Sequence, residues 1–359
     1  MVILWINLVV VYFVSLFSRY LVIPATIGPD PAYSKPNKFF ALVVMIVFVT
    51  VAGLRSNIGD TVFYKHAYVL NTFTWEFIAA DKDIGFGILQ MILKSYSNNP
   101  QLLIFITAFI TNLLILVVLY KYSRLFELSV YLYITSGLYI ISMNGIRQFL
   151  AGAICFAATK YIFEGNWQKY ILVVILASTF HQSALILIPI YFVIRRKAWT
   201  KVTFMLLFLT TFLVLGYNQL SEAFFSAIQD TQYSAYKEFN EGGANIIRVV
   251  IQAIPIILAY LGRDKLRELF PKIDYVVNMS LLGLMIMVIA TQNWIFARFI
   301  IYFGLYNLIL IPWVVKIFAK RYQRIVYYAI LVFYLLYFYY ESVVSLKIIY
   351  KSDYLKLFS

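Results

Sequence analysis

Four arginines, Arg55, Arg147, Arg248 and Arg298, stand at or just inside one end of four different apolar runs. A charged side chain at membrane depth costs roughly 2.5–3.5 kcal/mol on insertion scales. Four at one level predict a shared cavity with an anionic guest. Arginine's planar fork suits phosphate or carboxylate better than lysine does. The competing reading is snorkelling, in which each arginine reaches headgroup phosphate from its own helix end. Arg147 follows Asn144-Gly145-Ile146 and precedes Gln148. This places it at a helix start, where free N–H groups and the dipole attract anions. Gln148 can bond a sugar or join two helices.

His181 interrupts another apolar stretch, in Phe180-His181-Gln182-Ser183. An imidazole with its pKa near neutrality can serve as a base or a hydrogen-bonding group. Its bland role is to satisfy the loop backbone. Asp60 lies in Gly59-Asp60-Thr61. Gly59 permits the turn, and Asp60 either caps the following helix or faces the cavity to orient a sugar hydroxyl or pair with an arginine. Thr61 and Tyr64 join it as candidate substrate-binding groups. Further along, Tyr233 and Tyr236 stand among Glu222, Asp230, Glu238 and Glu241. Tyrosine beside carboxylates suits a sugar-binding surface. His66, on an exposed loop, has no comparable setting.

The elements that must position these groups are membrane helices. Hydrophobic residues make up 63% of the 359 and charged residues 13%, with a mean hydropathy of +0.82. Soluble domains are roughly 45–50% apolar and about 25% charged. Apolar runs recur at 3–25, 38–54, 99–120, 128–142, 147–163, 202–218, 244–262, 275–292, 297–317 and 325–341. They are longer than the strands of a membrane barrel and apolar all round. In lipid such runs must close their own backbone bonds as helices. Read as one helix, 168–195 would reach about 42 Å, beyond a core of ~30 Å. It reads instead as a hairpin, 169–180 and 182–194, turning at His181. The expected fold is all-α and polytopic, with about 12 membrane segments and outer loops at 55–98 and 219–243. Residues 1–359 form one integral membrane domain, with the first span retained. Within the first outer loop, the run Ile88 to Leu93 is too short to span and lies at the interface or re-enters.

Charge orients this topology. With the N-terminus outside and a hairpin at His181, most of the 30 basic residues fall in inner loops, as the cytoplasmic side requires. The net charge of +14 is then orientation charge beside anionic lipid and implies no nucleic-acid partner. The one cysteine, Cys155, lies inside a span, which excludes an internal disulfide. One Cys and two distant His make no metal ligand set.

Four motifs in order then resemble a known family. They are Gly-Leu-Arg with Gly-Asp-Thr-x-x-Tyr across 53–64, Asp83-x-Gly-Phe, Arg147-Gln-x-x-Ala, and Phe-His-x-Ser-Ala across 180–184. Together they are similar to the EpsG family, bacterial Wzy-type polymerases of exopolysaccharide, capsule and O-antigen. Asp83 departs from the glutamate expected before Gly-Phe. The resemblance implies a glycosyltransferase at the outer face of the bacterial cytoplasmic membrane, with no cofactor. It would move a growing glycan from undecaprenyl pyrophosphate to a lipid-linked repeat unit. Implied partners are undecaprenyl-pyrophosphate-linked glycans, membrane lipid and a chain-length regulator protein. In that reaction Arg147, Arg248 and Arg298 would hold pyrophosphate. Arg55 would do the same or pair with an acid. His181 leads as the base, with Asp60 second. A lipid-linked oligosaccharide flippase is the non-enzyme alternative, since broken hairpins and intramembrane charge are also transporter features. A glycan ligase would share the same site physics.

Overall fold

Runs that find no hydrogen-bond partner in lipid fold as helices. The computed structural model describes residues 1–21, 36–217, 219–221, 226 and 242–355, and no strand occurs among them. The chain opens with α1 (Val2–Tyr20) and α2 (Lys38–Gly53). The loop 55–98 folds into three shorter helices, α3 (Thr61–Leu70), α4 (Trp75–Ala79) and α5 (Ile84–Tyr96). Next come α6 (Gln101–Tyr122), α7 (Phe126–Thr135), α8 (Leu138–Asn144), α9 (Ile146–Ala157) and α10 (Thr159–Glu164). The series continues with α11 (Trp167–Ser178), α12 (Gln182–Ile194) and α13 (Lys201–Leu215). It ends with α14 (Ile246–Leu261), α15 (Arg263–Leu269), α16 (Ile273–Ala290), α17 (Trp294–Ile317) and α18 (Lys320–Ser345).

Each of the twelve expected segments contains helix among its described residues, but the twelve spans expected are not all of spanning length. Among the described residues five helices are long and apolar enough to cross a membrane, or seven if the bent pairs α7–α8 and α14–α15 each count as one. The remaining apolar helices α2, α11, α12 and α13 are shorter, at 10–17 residues. The chain is therefore a multi-pass membrane protein whose helices are repeatedly broken. Its centre is α17, 89% buried. α17 packs against α16, α9 and α7, while α7 also supports α1 and α18.

The hairpin at His181 is present in the geometry. The Tyr170 and Tyr191 rings lie 4.9 Å apart, where one straight helix would separate them by about 31 Å. At the hairpin's open end, a Cβ on Gly165 would fall 2.3 Å from Arg195 Nη1. Gly165 also takes φ +81, so only glycine lets Arg195 close beneath it. Arg267 binds Asp274 at 3.0 Å at this same end, and donates to Ala198 O.

Two expected substrate-binding residues prove to be parts of the scaffold. Arg55 is fully buried: Nε donates to Thr61 Oγ1 at 2.9 Å, Nη2 to Met143 O at 2.8 Å, and Nη1 to Ala52 O. Thr61 in turn donates to Ile58 O at 2.7 Å. Arg55 thus ties the end of α2 to the start of α3 and to α8, away from any anion. Burial pushes its guanidinium down to about 10, still charged at neutral pH. The C-terminal residues cover the same corner, with Tyr350 donating to Val51 O at 2.8 Å and Asn57 to Ile349 O at 2.6 Å.

Arg55→Met orphans buried acceptors, each costing roughly 1–3 kcal/mol. Its melting temperature in detergent, followed by size-exclusion chromatography, should fall well below the native value. Equal melting of Arg55→Met and native protein would refute the scaffold role.

Candidate functional site

The other arginines do converge. A cavity of about 880 Å³ is lined by Arg147, Arg248, Arg298, His181, Asp60, Tyr64 and Gln148. They arrive from six places in the chain: the turn before α3, α3 itself, α9, the loop before α12, and the starts of α14 and α17. The cavity therefore gathers residues that are as much as 238 positions apart only through tertiary packing, and the snorkelling arrangement, with arginines scattered around the perimeter, does not describe these three.

Asp60 is set by an unusual turn. Ile58 takes φ 96 and Gly59 φ +48. A Cβ on Gly59 would lie 1.8 Å from Asn144 Oδ1, the atom that accepts from the Asp60 N–H at 3.0 Å. Asp60 occupies the N-cap position of α3, yet its side chain makes no capping bond. The helix-capping role expected of its carboxylate is not the one it plays; the residue lines the cavity instead.

Arg147 is held from the loop side. Nη1 lies 2.9 Å from Asp83 Oδ2, an ion pair whose angle falls short of a hydrogen bond. Nε donates to the Tyr64 hydroxyl at 3.3 Å. The guanidinium stands 5.9 Å from both the Tyr64 and Phe86 rings, within cation–π range. Asp83 Oδ1 accepts from Gln182 N–H at 3.2 Å. Two residues on, Gly85 N–H donates to Thr179 O at 2.7 Å, and a Cβ there would meet Thr179 Oγ1 at 2.2 Å. The Asp-x-Gly motif thus docks the loop helices onto the turn of the hairpin. Burial pushes the Asp83 carboxyl up to about 6, against the pull of Arg147.

His181 lies in the turn between α11 and α12. Ser183 Oγ contacts its Nδ1 at 2.8 Å and the Tyr302 hydroxyl at 2.7 Å, and accepts from Gln148 Nε2 at 3.3 Å. The Ser183 N–H also points at Nδ1, at 3.4 Å. A serine hydroxyl has one proton and two lone pairs. If Tyr302 and Gln148 donate to it, its proton goes to Nδ1. The donor balance therefore makes Nδ1 an acceptor and leaves the ring proton on Nε2. Burial, then Arg147 and Arg298, push the imidazole down to about 4, so it is neutral at physiological pH.

On the far wall, Arg248 Nε donates to Glu341 Oε1 at 2.9 Å, and Nη2 contacts the same oxygen. Asn245 Nδ2 donates to the Tyr340 hydroxyl at 3.1 Å. Glu341 sits in a π-helical turn, Tyr340–Ser345, that ends α18; such turns recur at functional sites. Arg298 stands 5.0 Å from the Trp294 ring, and its carbonyl accepts from Gln148 at 3.2 Å. Gln148 thus joins two walls as well as lining the cavity.

Asp83 and Glu341 are the functional neighbours that sequence reasoning left without a role. Each had a signal: Asp83 opens a motif, and Glu341 is an acid at the end of an apolar span. Arg55 and Thr61 lie outside the cavity. Tyr233 and Tyr236, with most of loop 219–243, lie outside the described residues. Among the described residues no group of three or more His, Cys, Asp or Glu is placed to hold a metal ion.

The fold and cavity define a multi-pass helical membrane protein with an arginine-rich pocket among its helices. The chain matches the profile of the EpsG family over residues 38–355 and belongs to that family. No curated protein and no solved structure matches it.

Asp83 gives a pH-dependent test. Its carboxyl is raised from 3.8 to about 6, so the folded chain holds this proton more tightly than the unfolded chain. The resulting stabilisation is complete below the lower value and lost as pH rises through the upper one. Asp83→Asn should therefore melt no lower than native protein at about pH 7.5, and the two should converge near pH 4. A melting point well below native at the higher pH would show that the Arg147 pair outweighs burial.

Proposed function

We propose that this protein is a polysaccharide polymerase. It transfers a growing glycan from undecaprenyl pyrophosphate to a lipid-linked repeat unit at the outer face of the bacterial cytoplasmic membrane. The observation that carries the reading is the convergence of Arg147, Arg248 and Arg298 with His181 and Asp60 on one cavity. Family membership supports the same class of reaction.

In this reaction an acceptor hydroxyl attacks the anomeric carbon of the donor glycan. The new C–O bond forms as the bond to pyrophosphate breaks, and undecaprenyl pyrophosphate leaves with the electron pair. Arginines held before substrate arrives stabilise that charge without reorganising. His181, with its proton on Nε2, donates to a phosphoryl or sugar oxygen. The hydroxyl's proton goes to Asp60, whose side chain is uncommitted to the helix cap. This reverses the order expected from sequence, in which His181 led as base. Tyr64 positions Arg147, and Gln148 positions Ser183 and Arg298. Lipid tails enter sideways between helices, and a chain-length regulator would act from outside this cavity.

A flippase draws on the bends in α7–α8 and α14–α15, but forms no glycosidic bond. A ligase would use the same chemistry on another acceptor. Purified protein in nanodiscs, supplied with lipid-linked repeat units, should yield polymer resolvable by gel and mass spectrometry. Arg147→Ala and Asp60→Asn should each slow polymerisation by about 100-fold or more with normal protein yield. His181→Gln, which retains an N–H donor, should keep more activity than His181→Ala. Undiminished polymer from both Arg147→Ala and Asp60→Asn would remove the site assignment. Absence of any product longer than one repeat from native protein would remove the polymerase.

A further inference from the structure

The same cavity extends past the arginines to a chamber-like part whose lining has different chemistry. Ser136, Gln252 and Asn307 line it from three separate helical segments, with Leu308 and Ile311 beside them. Ser136 Oγ, Gln252 Oε1 and Asn307 Oδ1 are each buried without a hydrogen-bond partner among the described residues. Asn7, Asn112, Tyr170 and Ser280 are also short of partners, but do not line the cavity. Counting along the helices at 1.5 Å per residue, the chamber lies roughly 6–14 Å from the arginine level.

The backbone opens at the same place. α7 and α8 form a span bent by 55°, and Gly137 at the break takes φ +85. A Cβ on Gly137 would meet nothing within 4 Å. Irregular backbone at membrane depth is tolerated where it lines a polar cavity, and orphaned buried polar groups mark a missing partner. Tyr334 lends an aromatic wall.

We infer that this chamber is an uncharged sugar subsite, taking the hexose of a lipid-linked glycan whose pyrophosphate lies on the arginines. The inference rests on the proposed reaction and adds a place for the glycan. A hydrocarbon tail would leave the serine hydroxyl and the two amides unpaired. A second phosphate would find no cation among these residues. A sugar ring offers hydroxyls for the three polar groups and C–H faces for leucine, isoleucine and tyrosine.

The test measures binding of two probes to nanodisc-embedded protein: undecaprenyl pyrophosphate, and the same lipid bearing one N-acetylglucosamine. Native protein should bind the sugar-bearing lipid at least tenfold more tightly. Gln252→Leu and Asn307→Leu, checked for native-like elution, should each erase most of that gain while binding of the bare lipid stays within twofold. Ser136→Cys supplies a second measure, since the native Cys155 is buried. Its modification by a small thiol reagent should be blocked by the sugar-bearing lipid and not by the bare one. Equal affinity of native protein for both probes, or unchanged preference in both leucine variants, overturns the subsite. Sugar-dependent binding and protection without polymer formation would leave the subsite standing and remove the polymerase reading.

Discussion

A polar group in hydrocarbon has no partner unless the protein supplies one. This constraint explains where the helices of this chain break. The bend at Ser136-Gly137, the turn at His181 and the turn at Asn293 all give onto the cavity. Two of these breaks use the same device. His181 and Asn293 are both extended, with φ −159 and −152, and each side chain accepts from the N–H two residues on. A 3₁₀ turn follows in both cases before the helix resumes. One copy presents the imidazole, and the other leads to Arg298. The side-chain cap replaces backbone bonds that the interruption removes, so the chain can open at membrane depth without orphaning its N–H groups.

The same constraint decides which arginines can meet a ligand. Arg55 has its donors taken by Thr61, Met143 and Ala52, so no anion is needed to satisfy it. Arg147 and Arg248 are balanced by Asp83 and Glu341. These ion pairs hold the guanidiniums in place, but they also compete with an incoming phosphate. In the proposed reaction a pyrophosphate must offer more than the carboxylate already does. It can do so because its charge rises as the glycosidic bond breaks, whereas the carboxylate's stays fixed. Weak ground-state binding with stronger binding at the transition state is what accelerates a reaction.

Hydropathy and charge made much of this architecture legible. The hairpin at His181 followed from one length argument and one polar interruption, and the Tyr170–Tyr191 contact agrees with it. The convergence of Arg147, Arg248 and Arg298 followed from their shared depth. Depth could not separate Arg55 from them, because it fixes a level in the membrane and leaves the neighbours unspecified. Asp83 and Glu341 were hidden for the same reason, since their partners come from distant helices. The apolar runs marked where helices lie but not how many of them span, since length and apolarity support five to seven crossings among the described residues, and bends such as 55° at Ser136-Gly137 left no mark in composition.

The assignment of the base turns on hydrogen-bond accounting that sequence cannot provide. Histidine is the usual candidate because its pKa lies near neutrality. Here the ring is surrounded by donors: Ser183 faces Nδ1, and Arg147 and Arg298 disfavour the imidazolium. A base in that position would gain its proton against two positive charges, at a nitrogen already carrying one proton. A carboxylate has free lone pairs on both oxygens and can take the single proton that the proposed reaction releases. Asp60 has been turned towards the cavity by Gly59 and Asn144. The histidine's own arrangement suits donation instead: capping the α12 turn through Nδ1 and the proposed donation of Nε2–H to substrate require the same tautomer.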